Sequence, residues 1–248
     1  MAITAANLTT NQNGTGATSY TTASVTPTSG KLQLLMVGNQ VAAGTPNAPT
    51  ITGNGLTWVQ VATKVSSTVT LRRVTVFRAM GTATTGTIVI DFAGQTQIRA
   101  GWSLAEFTGT DTSGTNGSGA IVQSASAEQT DAASSTGVTV TLAAFSNVNN
   151  ATYGALRYGG SSTTDNVLEG TNFTRIGLVN GSASYDTEFA AGNQTAVNWT
   201  WNSTSFFSQA IGIEIAIAPP PPPTTGQVGS MGLNNLNDLS MMNLNNIL

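Results

Sequence analysis

The chain contains no cysteine and no histidine. Without cysteine there is no disulfide framework, so stability has to come from burial and strand pairing. The two absences together exclude Ser–His and Cys–His nucleophilic systems and zinc sites of the usual His/Cys kind. Charge is scarce as well. Only 8% of residues are charged, against roughly 25% in soluble domains. Eight Lys and Arg and a net charge of −3 leave no basic stripe to track phosphates, which argues against a nucleic-acid partner. No apolar run is long enough to span a bilayer, so no membrane partner is expected. The start, Met1-Ala-Ile-Thr-Ala-Ala6, has neither the basic nor the apolar region of a secretory signal.

Thr, Ser, Asn, Gln and Gly fill the positions that Lys and Glu would otherwise occupy. Contacts made by such a surface should respond little to salt or pH. Apolar residues recur with period two, and turn residues interrupt them about every ten positions. This pattern predicts strands over 20–26, 31–37, 56–63, 69–79, 86–92, 98–108 and 120–126, then over 138–142, 152–158, 173–179, 184–190, 196–201 and 207–217. Ile88, Ile90 and Phe92 share one face, and Ile211, Ile213, Ile215 and Ile217 share another, opposite Gly212 and Glu214. No long stretch shows helical spacing, so the fold expected is all-β, an antiparallel sandwich of jelly-roll type.

Four segments follow from this pattern. Residues 1–18 read as a polar N-terminal arm or a loosely paired first strand, 19–218 as the sandwich, 219–223 as a polyproline linker and 224–248 as a docking tail. Thr110–Gly119 is a Gly/Ser/Thr-rich connection that either divides two sheet halves or separates two small domains. The same alternation on both sides of it favours one sandwich. Its Gly114-Thr-Asn-Gly-Ser-Gly119 run lacks the Gly-Lys-Ser/Thr of a phosphate loop and is read as a plain connection.

Five prolines, Pro219 to Pro223, in polyproline II would rise about 3.1 Å each, a stiff spacer of roughly 15 Å. Beyond them, eight large aliphatic residues occupy the sixteen positions from Leu233 to Leu248. On a helical wheel of about 100° per residue, Leu233, Leu236, Met241, Leu244, Ile247 and Leu248 fall within roughly 140°. Leu239 and Met242 fall outside this arc. The six intervening asparagines are poor helix formers, each costing up to about 0.7 kcal/mol relative to Ala. The tail is therefore expected to order only where a partner covers its apolar side.

Carboxylate chemistry is what remains for an enzyme. Asp186 and Glu188, at i and i+2, would project from one strand face, where they could act on a glycosidic bond or hold calcium. A solvated strand face is the plainer reading. Asp165 with Glu169 and Glu106 with Asp111 are weaker pairs. Trp199-Thr-Trp201 puts two indoles on one strand face, which suits either a core or interface cap or a platform for stacking host glycan. Trp58 and Trp102 read as core residues. Arg72 and Arg78 share a face and Arg73 takes the other; pairing with Asp91 or Glu106 accounts for them within the chain. Nothing in the sequence calls for a cofactor.

Four runs carry a resemblance: Asn54-Gly-Leu-Thr-Trp-Val-Gln-Val-Ala-Thr63, Arg72-Arg-Val-Thr-Val-Phe-Arg-Ala-Met-Gly81, Thr87-Ile-Val-Ile-Asp-Phe-Ala-Gly94 and Gly101-Trp-Ser-Leu-Ala-Glu-Phe-Thr-Gly109. Together they resemble β-sandwich domains of tailed-bacteriophage structural proteins, most clearly over residues 50–110. The resemblance implies a component of the virion exterior, a capsid decoration protein or a head or tail fibre. It transfers no active-site residue and does not extend to the Pro-linked tail. The expected partners are other virion proteins and further copies of the chain, with three-fold symmetry a plausible choice. A surface adhesin that binds host carbohydrate is the alternative, and a glycan-degrading enzyme a more distant one.

Overall fold

β-Branched and aromatic residues fit a pleated, half-buried surface, and Gly, Asn and Ser supply the turns between such runs. The computed structural model describes residues 2–68, 71–130, 136–160, 165–202 and 207–221. Among them are fifteen strands: β1 (Thr4–Asn13), β2 (Ser19–Thr21), β3 (Leu32–Gln40), β4 (Thr50–Gly53), β5 (Val59–Val65), β6 (Arg72–Ala79), β7 (Ile88–Asp91), β8 (Arg99–Thr108), β9 (Ile121–Gln129), β10 (Gly137–Thr141), β11 (Ala151–Tyr158), β12 (Thr174–Val179), β13 (Ser184–Ala190), β14 (Ala196–Thr200) and β15 (Ser208–Ile215). Each of the thirteen expected strands has its counterpart. The pattern missed β4, and it left β1 open between an arm and a loosely paired first strand.

The strands form two large sheets, ordered β1-β8-β3-β6-β5 and β12-β13-β11-β15-β9, and two small ones, β2-β7-β4 and β10-β14. The two large sheets face each other across a core that includes Leu34, Met36, Val74 and Phe107 on one side and Tyr153, Ile211, Ile213 and Ile215 on the other. The small sheets cover the outer faces. Tyr20, Ile51, Ile88 and Ile90 pack on Leu35, Val37, Phe77 and Trp102, and Val138, Val140, Val197 and Trp199 pack on Leu156, Tyr158 and Ala210. Four layers result, so the inner strands are buried on both faces, as β11 and β15 are along their whole length.

Strand order shows that the body is built twice. Counted from its own first strand, the first half pairs its strands 1-8-3-6-5, with 2-7-4 outside. In the second half β9, β15, β11, β13 and β12 take the places of 1, 8, 3, 6 and 5, and β10 and β14 those of 2 and 7. The place of strand 4 is taken by a single bridge from Leu168 to Thr200. Pairing first with eighth, third with sixth and second with seventh is jelly-roll connectivity.

Across the shared core β1 lies against β12, β9 against β5, β8 against β13, β15 against β6, and β3 against β11. Exchanging the halves maps this set of contacts onto itself. That is the signature of a two-fold, isologous interface, here within one chain. The connection at Thr110–Gly119 is the seam between halves that share one core, and residues 1–218 form one unit.

Of the two readings of the N-terminal segment, an arm or a first strand, the structure shows the strand. β1 pairs with β8 from Thr4 to Asn13, and Ile3 is buried in the central core. Asn7 donates to Ile176 O at 2.9 Å and Gln12 to Asn180 O at 2.5 Å, which ties the strand to the opposite sheet. The arginines differ from expectation. Arg72 lies over the Phe207 ring at 4.4 Å, and Arg73 donates to Pro46 O and Thr63 Oγ1. Glu106 accepts from the Thr28 amide and the Gln33 side chain, and Asp91 from the Ala93 amide.

One close approach depends on missing side chains. Gly38 and Gly101 are register partners on β3 and β8, and the Tyr185 ring lies on both. A Cβ at Gly38 would come 2.5 Å from that ring, and one at Gly101 closer still.

Candidate functional site

Asp186 and Glu188 do share a face of β13, as their spacing predicts, but that face is neither solvated nor open. Both are fully buried. Their face looks outward from the central core, toward β14 and the segment 165–173, and this segment closes over it. Arg175, on the neighbouring strand β12, reaches Asp186 with Nε at 3.2 and 3.1 Å and with Nη2 at 3.0 Å. The same Nη2 reaches Glu169 Oε2 at 2.9 Å and donates to Val167 O at 2.8 Å. Glu188 Oε2 accepts the Gly170 amide at 2.9 Å, while its Oε1 is buried with no hydrogen-bond partner.

Burial dominates the electrostatics. It raises the Asp186 carboxyl from 3.8 to about 7 against the pull of Arg175, and the Glu188 carboxyl from 4.5 to about 9 against the Gly170 amide. Burial favours the protonated form of both, more strongly for Glu188, which has no cation in contact among the described residues, than for Asp186, which faces Arg175. Two carboxyl groups with separated pKa values form the acid/base pattern of a hydrolase. Here, with no exposed surface, they have no path to a saccharide. Their visible work is to fasten the 165–173 segment to β12 and β13.

The calcium reading has no site either: among the described residues no group of three or more Asp or Glu is placed to hold a metal ion. Asp165 accepts the Tyr158 hydroxyl at 3.0 Å and Glu169 faces Arg175, so this pair serves two different contacts. Glu106 and Asp111 are also spent separately, on Gln33 and on the Ser113 amide. Arg175 is the cluster member that sequence reasoning overlooked; Glu169 was read only as a partner of Asp165. The available signal was a lone arginine in the otherwise uncharged strand Thr174–Val179.

Of the two readings of the tryptophan pair, the structure contradicts the glycan platform. Trp199 is 0% and Trp201 3% exposed, and both belong to the core beneath β10 and β14. Trp201 lies 4.8 Å, ring to ring, from Tyr158, and Trp199 stands over Gly154. A stacking platform needs an open indole face, and neither residue has one. The core-cap reading is the one the structure bears out. Trp102 is buried and Trp58 half-buried against the core under β2, β7 and β4, as expected.

A cleft of about 460 Å³ opens where the two ends of the body meet. Ala2, Ile3, Val148, Ala151 and Ile217 line it, with Asn149 as its polar side chain. It offers no acid, base or nucleophile. The docking positions Leu233, Leu236, Met241, Leu244, Ile247 and Leu248 lie outside the described residues. Among the described residues no helix is long and apolar enough to cross a membrane. Compared with family models, curated proteins and solved structures, the chain matches none.

Proposed function

We propose that this chain is a non-enzymatic structural subunit of a tailed-bacteriophage particle. In this reading it is a homo-oligomeric decoration or fibre protein on the exterior, held to its neighbours through residues 224–248. The observation that carries the reading is the contrast across Ala218. Before it stands a body whose carboxylates and tryptophans are consumed in its own packing. After it come the prolines and a nearly uncharged segment with eight large aliphatic residues in its last sixteen. A chemically quiet body suits a part that is assembled rather than one that turns over substrate. The sequence resemblance of residues 50–110 to phage sandwich domains supports the same assignment.

Burying about 500 Å² of apolar tail would give on the order of 12 kcal/mol gross at 25 cal/mol per Å². Ordering some sixteen residues costs a comparable amount. A single tail therefore holds weakly, and several tails in one oligomer hold well. The test is a phage from which residues 224–248 are deleted, with copies per particle counted by quantitative mass spectrometry. Copy number should fall severalfold while the soluble body remains folded. Normal copy number would overturn the anchoring role.

A further inference from the structure

At one end of the central core the two facing sheets meet through a polar layer. Arg72, Gln40 and Arg99 are register partners on β6, β3 and β8, and all three point inward. Opposite them stand Tyr185, Arg157 and Gln209, register partners on β13, β11 and β15, each fully buried. Arg157 Nη2 donates to Gln40 Oε1 at 2.7 Å and Nη1 to Gln209 Oε1 at 3.4 Å. Both acceptors are neutral. The Arg157 Nε and the Gln209 Nε2 are buried donors with no partner.

A buried guanidinium needs a compensating negative charge, and leaving one without it is strongly destabilising. Every carboxylate among the described residues is engaged elsewhere. Asp91, Glu106 and Asp111 hold nearby amides and Gln33; Asp165 holds Tyr158; Glu169 and Asp186 hold Arg175. Glu188 holds the Gly170 amide, and Glu214 holds Asn150 and Gln123. Glu128, next to Gln209 in register, is held by Lys64 at 3.1 Å and by the Ser67 amide. Beside Arg157 stand the Tyr185 hydroxyl, whose proton burial holds in place, and two further cations, Arg72 and Arg99, so no anionic group faces it among the described residues.

We propose that this layer is a binding site for a small inorganic anion of halide size. It would be sealed between the two halves of the body and would accept hydrogen bonds from Arg157 Nε and Gln209 Nε2. The full burial of Tyr185, Arg157 and Gln209, with Gln40, Arg72 and Arg99 only partly exposed opposite them, favours a monatomic ion over phosphate. Such an ion would act as a structural cofactor, joining the second half through Arg157 to the first through the field of Arg99.

The test uses the full-length protein at neutral pH, melted in increasing sodium chloride with sodium gluconate holding ionic strength constant. A ligand that binds only the folded state raises stability with its concentration. The wild type should show a melting temperature that climbs with chloride and then levels off. Arg157→Met should abolish the climb, and Arg99→Gln, at a partly exposed position, should weaken it without loss of the fold. Crystals grown in bromide should give an anomalous peak within hydrogen-bond reach of Arg157 Nε. If Arg157→Met fails to fold, the wild-type titration and Arg99→Gln decide. Identical melting in chloride and gluconate would overturn the site.

Discussion

Glu188 shows how a single residue in this body converts burial into pH dependence. Its folded pKa of about 9 lies above its ordinary 4.5. The folded state therefore binds a proton that the unfolded chain releases. That contribution to stability is fully present below about pH 4.5 and is lost as pH rises toward about 9. Asp186, raised from 3.8 to about 7, acts in the same direction over a lower window. The uncharged surface adds little to this trend, so the buried pair should dominate it. Glu188→Gln keeps the shape and removes the ionisation. Its melting temperature should match the wild type near about pH 4.5 and exceed it by several degrees near about pH 9. Calorimetric scans across that range decide the point. Parallel pH curves for the two proteins would mean that Glu188 does not titrate as described.

At the scale of the element, β1 separates an arm from a strand. An arm could be removed without cost. As a strand, β1 covers one edge of β8 along its length and carries Ile3 into the core. Deleting residues 2–13 should cost at least about 2 kcal/mol from the lost burial of Ile3 alone. It would also expose the full edge of β8, a template for pairing with other chains. Urea unfolding and size-exclusion chromatography would report both effects, and a variant as stable and as monodisperse as its parent would contradict the assignment.

The same strand explains what could be read in the sequence and what could not. Period two was legible where one face is apolar and the other polar, as in Ile88–Asp91 and Ser208–Ile215. β1, Thr-Ala-Ala-Asn-Leu-Thr-Thr-Asn-Gln-Asn, is an edge strand with few apolar residues, and composition alone could not separate an arm from a loosely paired first strand. β4 has only four residues. The outer layers were hidden for a different reason: alternation was read as one dry face and one wet face. Here the second face of β13 is dry as well, and this is why Asp186 and Glu188 seemed solvated. The unbroken run Ala-Thr-Tyr-Gly-Ala-Leu-Arg-Tyr in β11, with no polar face to expose, was the available sign of burial on both sides. The repeat escaped notice because equivalent strands share places in the topology and not residues.

For the molecule as a whole, duplication leaves a body that closes upon itself. The two halves use their large sheets on each other and cover the outer faces with their own small sheets. What this leaves at the surface is mostly Thr, Ser and Asn, as on the outer faces of β2, β7 and β4 and of β10 and β14. Such a body is well suited to being carried, and in the proposed role the attachment lies in the tail. The most direct measurement grafts residues 219–248 onto an unrelated monomeric fluorescent protein and onto a trimeric form of it, then purifies phage particles grown in the presence of each. The account predicts that the trimeric fusion co-purifies with particles lacking the native protein and that the monomeric fusion is retained far less. Particles that capture neither fusion, yet still bind a tail-less body, would show that the body makes the contact and would contradict the account.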